Sequence, residues 1–206
     1  IFLLTIPVAL FWATYEQQGN TIALWAEDNT DRMIQLSGFA IEIPTTWFQA
    51  FNPFMIFAFT PLLIAVWAWQ GRRRHEPSTL TKMALGCFGL TAGNLILVAA
   101  AMTADADKAS WLWLFAYFVV ITIGELYLSP VSLSLVSKIA PARTASFMMA
   151  VWLGTSFGGN LLAGYLGSYW SAMEKPAFFL MIAALATLAG LLIAGARRPL
   201  RGLLND

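Results

Sequence analysis

An all-α membrane protein, a bundle of six transmembrane helices, is the fold class this sequence predicts, and three observations predict it. Of its 206 residues, 59% are hydrophobic and only 11% charged, with a mean hydropathy of +0.68; soluble domains carry about 25% charged residues. Apolar runs recur at Ile1–Trp25, Pro44–Trp69, Leu80–Met102, Trp111–Ala140, Ala145–Trp170 and Pro176–Ala196, each at least 21 residues long. At about 1.5 Å per helical residue, each crosses the roughly 30 Å of hydrocarbon. Finally, the bases fall mostly in alternate loops, as the loops of a multi-span protein require. Inside lipid each segment must satisfy its own backbone groups, so runs of this length are read as helices.

The first span carries Trp12, Thr14, Tyr15, Glu16, Gln17, Gln18 and Asn20. Trp12 and Glu16 are four apart, on one helical face. So many polar groups in succession must face protein or a water-filled cavity rather than lipid. Glu16 lies about 24 Å from the start of the span, towards the far half, while Glu125 sits nearer the middle of its own span. The expectation is two separate titratable sites rather than one carboxylate pair sharing a proton.

In the second span Asn52 precedes Pro53, a polar side chain at an expected kink, with Pro61 as a further irregularity. Such an asparagine serves either helix packing or a ligand. The third span offers only Asn94, a weaker candidate, and Cys87. The fourth has a single acid, Glu125, in about thirty residues, with no base until Lys138. A carboxylate at mid-membrane costs at least about 2.5 kcal/mol, so a functional reason is the default expectation. Pro130 removes a donor one turn further on, so loosened backbone beside Glu125 is expected to complete half of a substrate or ion site. The plainer alternative is a neutral, hydrogen-bonded carboxyl inside the bundle. The fifth span places Trp152 and Ser156 four apart, ahead of Gly158, Gly159, Asn160, Gly164 and Gly167, glycines that permit close helix approach. Trp152 is either a cavity wall or a core filler. The sixth span has no ionisable group.

Nine bases (Arg72, Arg73, Arg74, Lys82, Lys138, Arg143, Arg197, Arg198, Arg201) lie at one end, against three (Arg32, Lys108, Lys175) at the other. The second end also holds Glu27, Asp28, Asp31, Glu42, Asp105, Asp107 and Glu174. The nine-base end is therefore read as cytoplasmic, with both chain ends there. Trp25, Trp47, Trp67, Trp69, Trp111, Trp113 and Trp170 sit at span ends and read as interfacial anchors. The chain opens at Ile1 already within an apolar run, so it is expected to continue a longer polypeptide.

Other chemistries fall away. One cysteine excludes an internal disulfide, and with His75 in a basic loop there is no zinc set. A membrane serine protease needs a histidine inside the membrane. Scattered loop bases at a net charge of +1 make no nucleic-acid surface, and no cofactor is expected.

The stretches FWATYEQQGNT, WFQAFNPFMIFAFTPLL and GELYLSPVSLSLVSKIAP resemble the proton-dependent oligopeptide transporters, and the resemblance runs through all six spans. It implies one half, the C-terminal one, of a major facilitator fold, residues 1–206 forming a three-plus-three inverted repeat. It further implies proton-coupled symport of di- and tripeptides by alternating access in a bacterial inner membrane, with membrane lipid and an N-terminal six-helix half as partners. On the same grounds Glu125 matches the acid facing the peptide amino group, and Asn52 a residue holding that end. Trp12, Trp152 and Ser156 match cavity-lining positions, and Glu16 matches an acid of proton coupling and the gate. Two residues depart from the pattern: Ser132, where many bacterial relatives have glycine, and Tyr15, where some have a second acid. A symporter or exporter of another small solute, or a non-transporting receptor on the same fold, stands as the alternative.

Overall fold

The computed structural model describes residues 2–36, 39–104 and 108–204. Ile1, Asp105 and Asp107 lie outside the described residues, as do the side chains of Arg198 and Arg201. Seven α-helices make up six rods. The first rod is α1 (Phe2–Tyr15), a 3-10 segment (Glu16–Gly19) and α2 (Thr21–Asp28). The others are α3 (Thr45–Arg72), α4 (Thr79–Thr103), α5 (Trp111–Ile139), α6 (Ala145–Gly167) and α7 (Lys175–Leu204). Helices α3, α4, α5 and the Lys175–Arg197 part of α7 are each long and apolar enough to cross a membrane. Helix α6 has 23 residues but is diluted by Thr155, Ser156, Asn160 and its glycines. The chain is a multi-pass membrane protein.

The rods pack as two interlocked triplets. Helix α1 lies on α6 and α7, α5 lies on α3 and α4, and α4 meets α7. Exchanging spans one to three for spans four to six turns α1–α6 into α5–α3, and α1–α7 into α5–α4, while α4–α7 maps onto itself. That closure is what a three-plus-three repeat demands. Small residues make the inner contacts close. A Cβ on Gly86 of α4 would lie 2.6 Å from the carbonyl oxygen of Gly124 on α5, and one on Gly124 would lie 2.7 Å from that of Gly86. Backbone therefore touches backbone at the residue before Glu125, in the manner of small-residue packing in lipid.

Two features depart from six uninterrupted helices. The first rod breaks at Glu16–Gly19, where Asn20 leaves the helical region at φ −118°, ψ −98°. The break is filled by side chains: the Gln17 amide donates to the Ala163 carbonyl of α6 at 3.0 Å, and its oxygen accepts from Thr21 at 2.9 Å. Thr14, Gln17 and Thr21 are buried, so this polar run faces protein, as its composition requires. The second departure is a hairpin, β2 (Met33–Leu36) antiparallel to β3 (Phe39–Glu42), with Arg32 paired to Glu42 at 2.6 Å. Nearby, two short strands, β1 (Thr30–Asp31) and β4 (Ala109–Ser110), pair in parallel and tie the loops of that end together.

The tryptophans divide. Trp47 and Trp69 are exposed at helix ends, as interfacial anchors are. Trp25 and Trp170 are instead buried, with ring centroids 5.3 Å from Phe179 and 5.2 Å from Phe178 respectively, and they staple α2 and the end of α6 to α7. Proline does not break the long helices either. Helix α3 runs through Pro53 and Pro61, and α5 runs through Pro130.

Candidate functional site

Three rods meet at Glu125, its own α5 with α1 and α3. Leu4, Val8, Phe11 and Tyr15 recur at four- and three-residue steps and are the buried stripe of α1. That stripe carries Tyr15 to α5, where its hydroxyl donates to Glu125 Oε2 at 2.5 Å. From α3 the Asn52 amide donates to the same Oε2 at 3.1 Å and to the Thr122 hydroxyl at 3.1 Å. The Tyr15 hydroxyl also lies 3.2 Å from Asn52 Oδ1, closing a triangle. Thr122 sits one turn before Glu125, on the same face of α5, with its own hydroxyl donated to the Phe118 carbonyl at 2.7 Å.

Both donors take one oxygen of the carboxylate. Among the described residues no hydrogen bond reaches Oε1. Glu125 itself is half-buried, while Asn52 is buried. The arrangement is thus an oriented carboxylate with one acceptor oxygen held and the other free for a cationic or N–H donor, the stronger class of hydrogen bond. Its supports come from side chains. Helix α5 runs on unbroken through Pro130, so no backbone break lies beside the carboxylate where the proline suggested one.

Glu16 stands closer to this network than helix-length counting suggests. It follows Tyr15 directly, opens the 3-10 segment, has the Asn160 side chain of α6 as hydrogen-bond partner, and lies within electrostatic range of Glu125. The expected separation in depth is therefore corrected: Tyr15 brings this end of α1 to the level of Glu125. The two carboxylates nevertheless keep separate hydrogen-bond partners. Trp12 is half-buried, its ring edge-on to Tyr15 at 5.5 Å, and its backbone side is pressed on Gly159 of α6. A side chain at Gly159 would collide with Trp12 and the Ala9 carbonyl, so the glycine sets the approach of α6 to α1.

Trp152 is buried in the hydrophobic core, and Ser156 is half-buried one turn on. Neither makes a hydrogen bond to Glu125 among the described residues. The weaker candidate Asn94 points elsewhere, its amide bonding the Leu90 carbonyl at 2.9 Å, and Tyr127, two residues beyond Glu125, packs edge-on to Trp67 at 5.4 Å. Sequence reasoning gave Tyr15 no place at the carboxylate and did not name Thr122. The signals were the four-three-four stripe ending at Tyr15 and the i, i+3 spacing of Thr122 to Glu125. Among the described residues no group of three or more His, Cys, Asp or Glu could hold a metal ion.

Known proteins match this chain closely enough to place it. The family model described as POT family matches residues 1–182. A peptide transporter of Yersinia enterocolitica, YePEPT, is 32% identical over all of this chain and 40% of its own length. A di-/tripeptide transporter of Lactococcus lactis subsp. cremoris is 30% identical, over 98% of this chain and 41% of its own. The crystal structure of an E-to-Q mutant of a peptide transporter POT in complex with alafosfalin superposes with a TM-score of 0.88 at 25% identity, covering all of this chain and 41% of that one. The chain spans about two-fifths of the length of these relatives, all of them transporters. With six rods paired as one half of such a fold, and a family match over most of its residues, the chain belongs to the POT family.

Proposed function

We propose that this chain is the C-terminal half of a proton-coupled symporter of di- and tripeptides in a bacterial inner membrane, and that Glu125 receives the peptide's amino terminus. The observation that carries the reading is the Glu125 carboxylate, with Oε2 held by Tyr15 and Asn52 and Oε1 left open. A peptide is a zwitterion with amide groups between its charges. Its site needs an anion, a cation and adaptable donors and acceptors. Glu125 supplies the anion, and Asn52 has both a donor and an acceptor in place beside it. The cation for the peptide carboxylate, and a base to partner the acids, belong to the other half of the transporter, which this chain's two-fifths share of its relatives leaves room for. Relatives named as di-/tripeptide transporters favour this substrate over nitrate or a drug.

The test is uptake into vesicles by the transporter expressed from its complete coding sequence. A proton gradient should drive accumulation of di- and tripeptides, and N-acetylated peptides should compete poorly. Gradient-independent uptake, or equal competition by free and acetylated peptides, would refute the reading.

Tyr15 makes a more local prediction. Its hydroxyl fixes the rotamer of Glu125 and presents Oε1, and a hydrogen bond to a charged group is worth about 1.5–3 kcal/mol. Part of that is recovered by water in Tyr15→Phe, so peptide affinity should fall about tenfold. In a Glu125→Gln background the same change should do little, because no charge remains to orient. Additive losses in that double-mutant cycle, measured by peptide binding, would remove Tyr15 from the site.

A further inference from the structure

At the end of the bundle opposite the hairpin, the ends of α3, α4, α5 and α7 leave a cavity of about 730 Å³ whose lining does not include Glu125. Its charge is unbalanced. Lys82, Lys138 and Arg197 line it, against one acid, Glu76, and Glu76 is already ion-paired with Lys82. Lys82 is itself buried and lies 4.2 Å from the ring centre of Trp67, so its position is fixed from two sides. Lys138 and Arg197 are exposed and have no carboxylate within ion-pair distance among the described residues. Two uncompensated cations on separate helices thus face one concavity. The 25-residue helix α4 also opens onto it. Ser78 makes no side-chain cap to that helix, its hydroxyl meeting Thr81 at 2.9 Å instead, so the positive end of the helix adds to the field.

The depth of the cavity identifies the anion. In the sequence the apolar run of α7 ends at Ala196, just before Arg197, while α4 begins at Thr79 and α5 ends at Ile139. All three positions line the cavity or flank it by sequence, and they mark where the helices leave hydrocarbon for water. That is the level of lipid phosphates, and basic pockets between helix ends at this level suit acidic headgroups. Val131 and Ile139, both half-buried in the wall, give the glycerol and upper acyl chain an apolar seat.

We propose that this cavity binds a phosphate group, that of an anionic phospholipid in the adjoining leaflet. The lipid bridges α5 and α7 through Lys138 and Arg197. The shared chemistry with inorganic phosphate is the anion, and what separates the two is the need for the apolar seat.

Native mass spectrometry of the complete transporter, titrated with phosphatidylglycerol, phosphatidylcholine and inorganic phosphate, tests this. The wild type should bind phosphatidylglycerol more tightly than phosphatidylcholine. Lys138→Gln and Arg197→Gln should each weaken phosphatidylglycerol about fivefold, and together about 25-fold, leaving phosphatidylcholine unchanged. Arg143→Gln, a base at the same end but outside the cavity, should have no effect. Equal binding of the two lipids overturns the proposal, as does retained affinity in the double variant or an Arg143→Gln loss equal to that of Lys138→Gln. Displacement of phosphatidylglycerol by millimolar inorganic phosphate would reassign the site to the free anion.

Discussion

Glu125→Gln is expected to weaken peptides with a free amino terminus by about thirtyfold or more, while leaving N-acetylated peptides almost unaffected. Truncating one partner of a desolvated charge pair costs about 2–5 kcal/mol, and the lower figure suits a half-buried carboxylate with access to water. The substitution isolates charge from shape. A glutamine oxygen can still accept from Tyr15 and Asn52, so the triangle of hydrogen bonds survives, and only the anion presented at Oε1 is lost. Glu125→Asp keeps the charge but withdraws it by one methylene from both donors, so intermediate affinity is expected. Binding measured by competition against a labelled dipeptide decides the matter. If the glutamine variant binds free and acetylated peptides in the wild-type ratio, Glu125 does not read the amino terminus, and its charge serves the gate instead.

The parts of this structure that follow from one segment's own chemistry were legible, and those that depend on a neighbour were not. Six rods followed from the length of the apolar runs, and their ends from the loop bases. The unbroken course of α5 through Pro130 was not legible, because a proline's cost depends on what packs around the freed carbonyl. The break at Glu16–Gly19 was hidden for a related reason: Gln17 and Asn20 both reach the Ala163 carbonyl on another rod, and no pattern within 1–25 encodes that reach. Glu125 stood out alone as an acid in an apolar span. Asn52 could not be separated from a packing residue until α3 was seen to lay it against Thr122 and Glu125. Tyr15 was noted only as a departure from the family pattern, because its hydroxyl acquires meaning only opposite the Glu125 carboxylate. Trp25 and Trp170 show the reverse case, since position at a span end suggested the interface while Phe178 and Phe179 of α7 hold them inside.

The arrangement of the two acids bears on coupling. Each has its own partners, yet Tyr15, the residue before Glu16, donates directly to Glu125, so the two acids are linked through one side chain. Glu16 also opens the 3-10 turn that interrupts the first rod, with α6 pinned against that turn through the Ala163 carbonyl. A change of charge there acts on the contact between two helices as well as on a neighbouring carboxylate. That is the kind of two-state element a proton can bias.

Glu16→Gln should accordingly separate transport from its driving force. With one proton moved per peptide, a gradient of one pH unit sustains about tenfold accumulation, since each 1.4 kcal/mol is a factor of ten. A glutamine has no proton to gain or lose, so the variant should bring internal peptide to the external level and no further. Counterflow, in which labelled peptide exchanges for unlabelled without net proton movement, should persist, because the Tyr15–Glu125–Asn52 triangle does not include the Glu16 side chain. The amide can still bond Asn160, so the helix contact is retained and the loss is one of charge switching. Both assays can be run on the same vesicles. Equal loss of counterflow and uphill uptake would show that Glu16 serves binding or structure, and retained tenfold accumulation would remove it from the proton route.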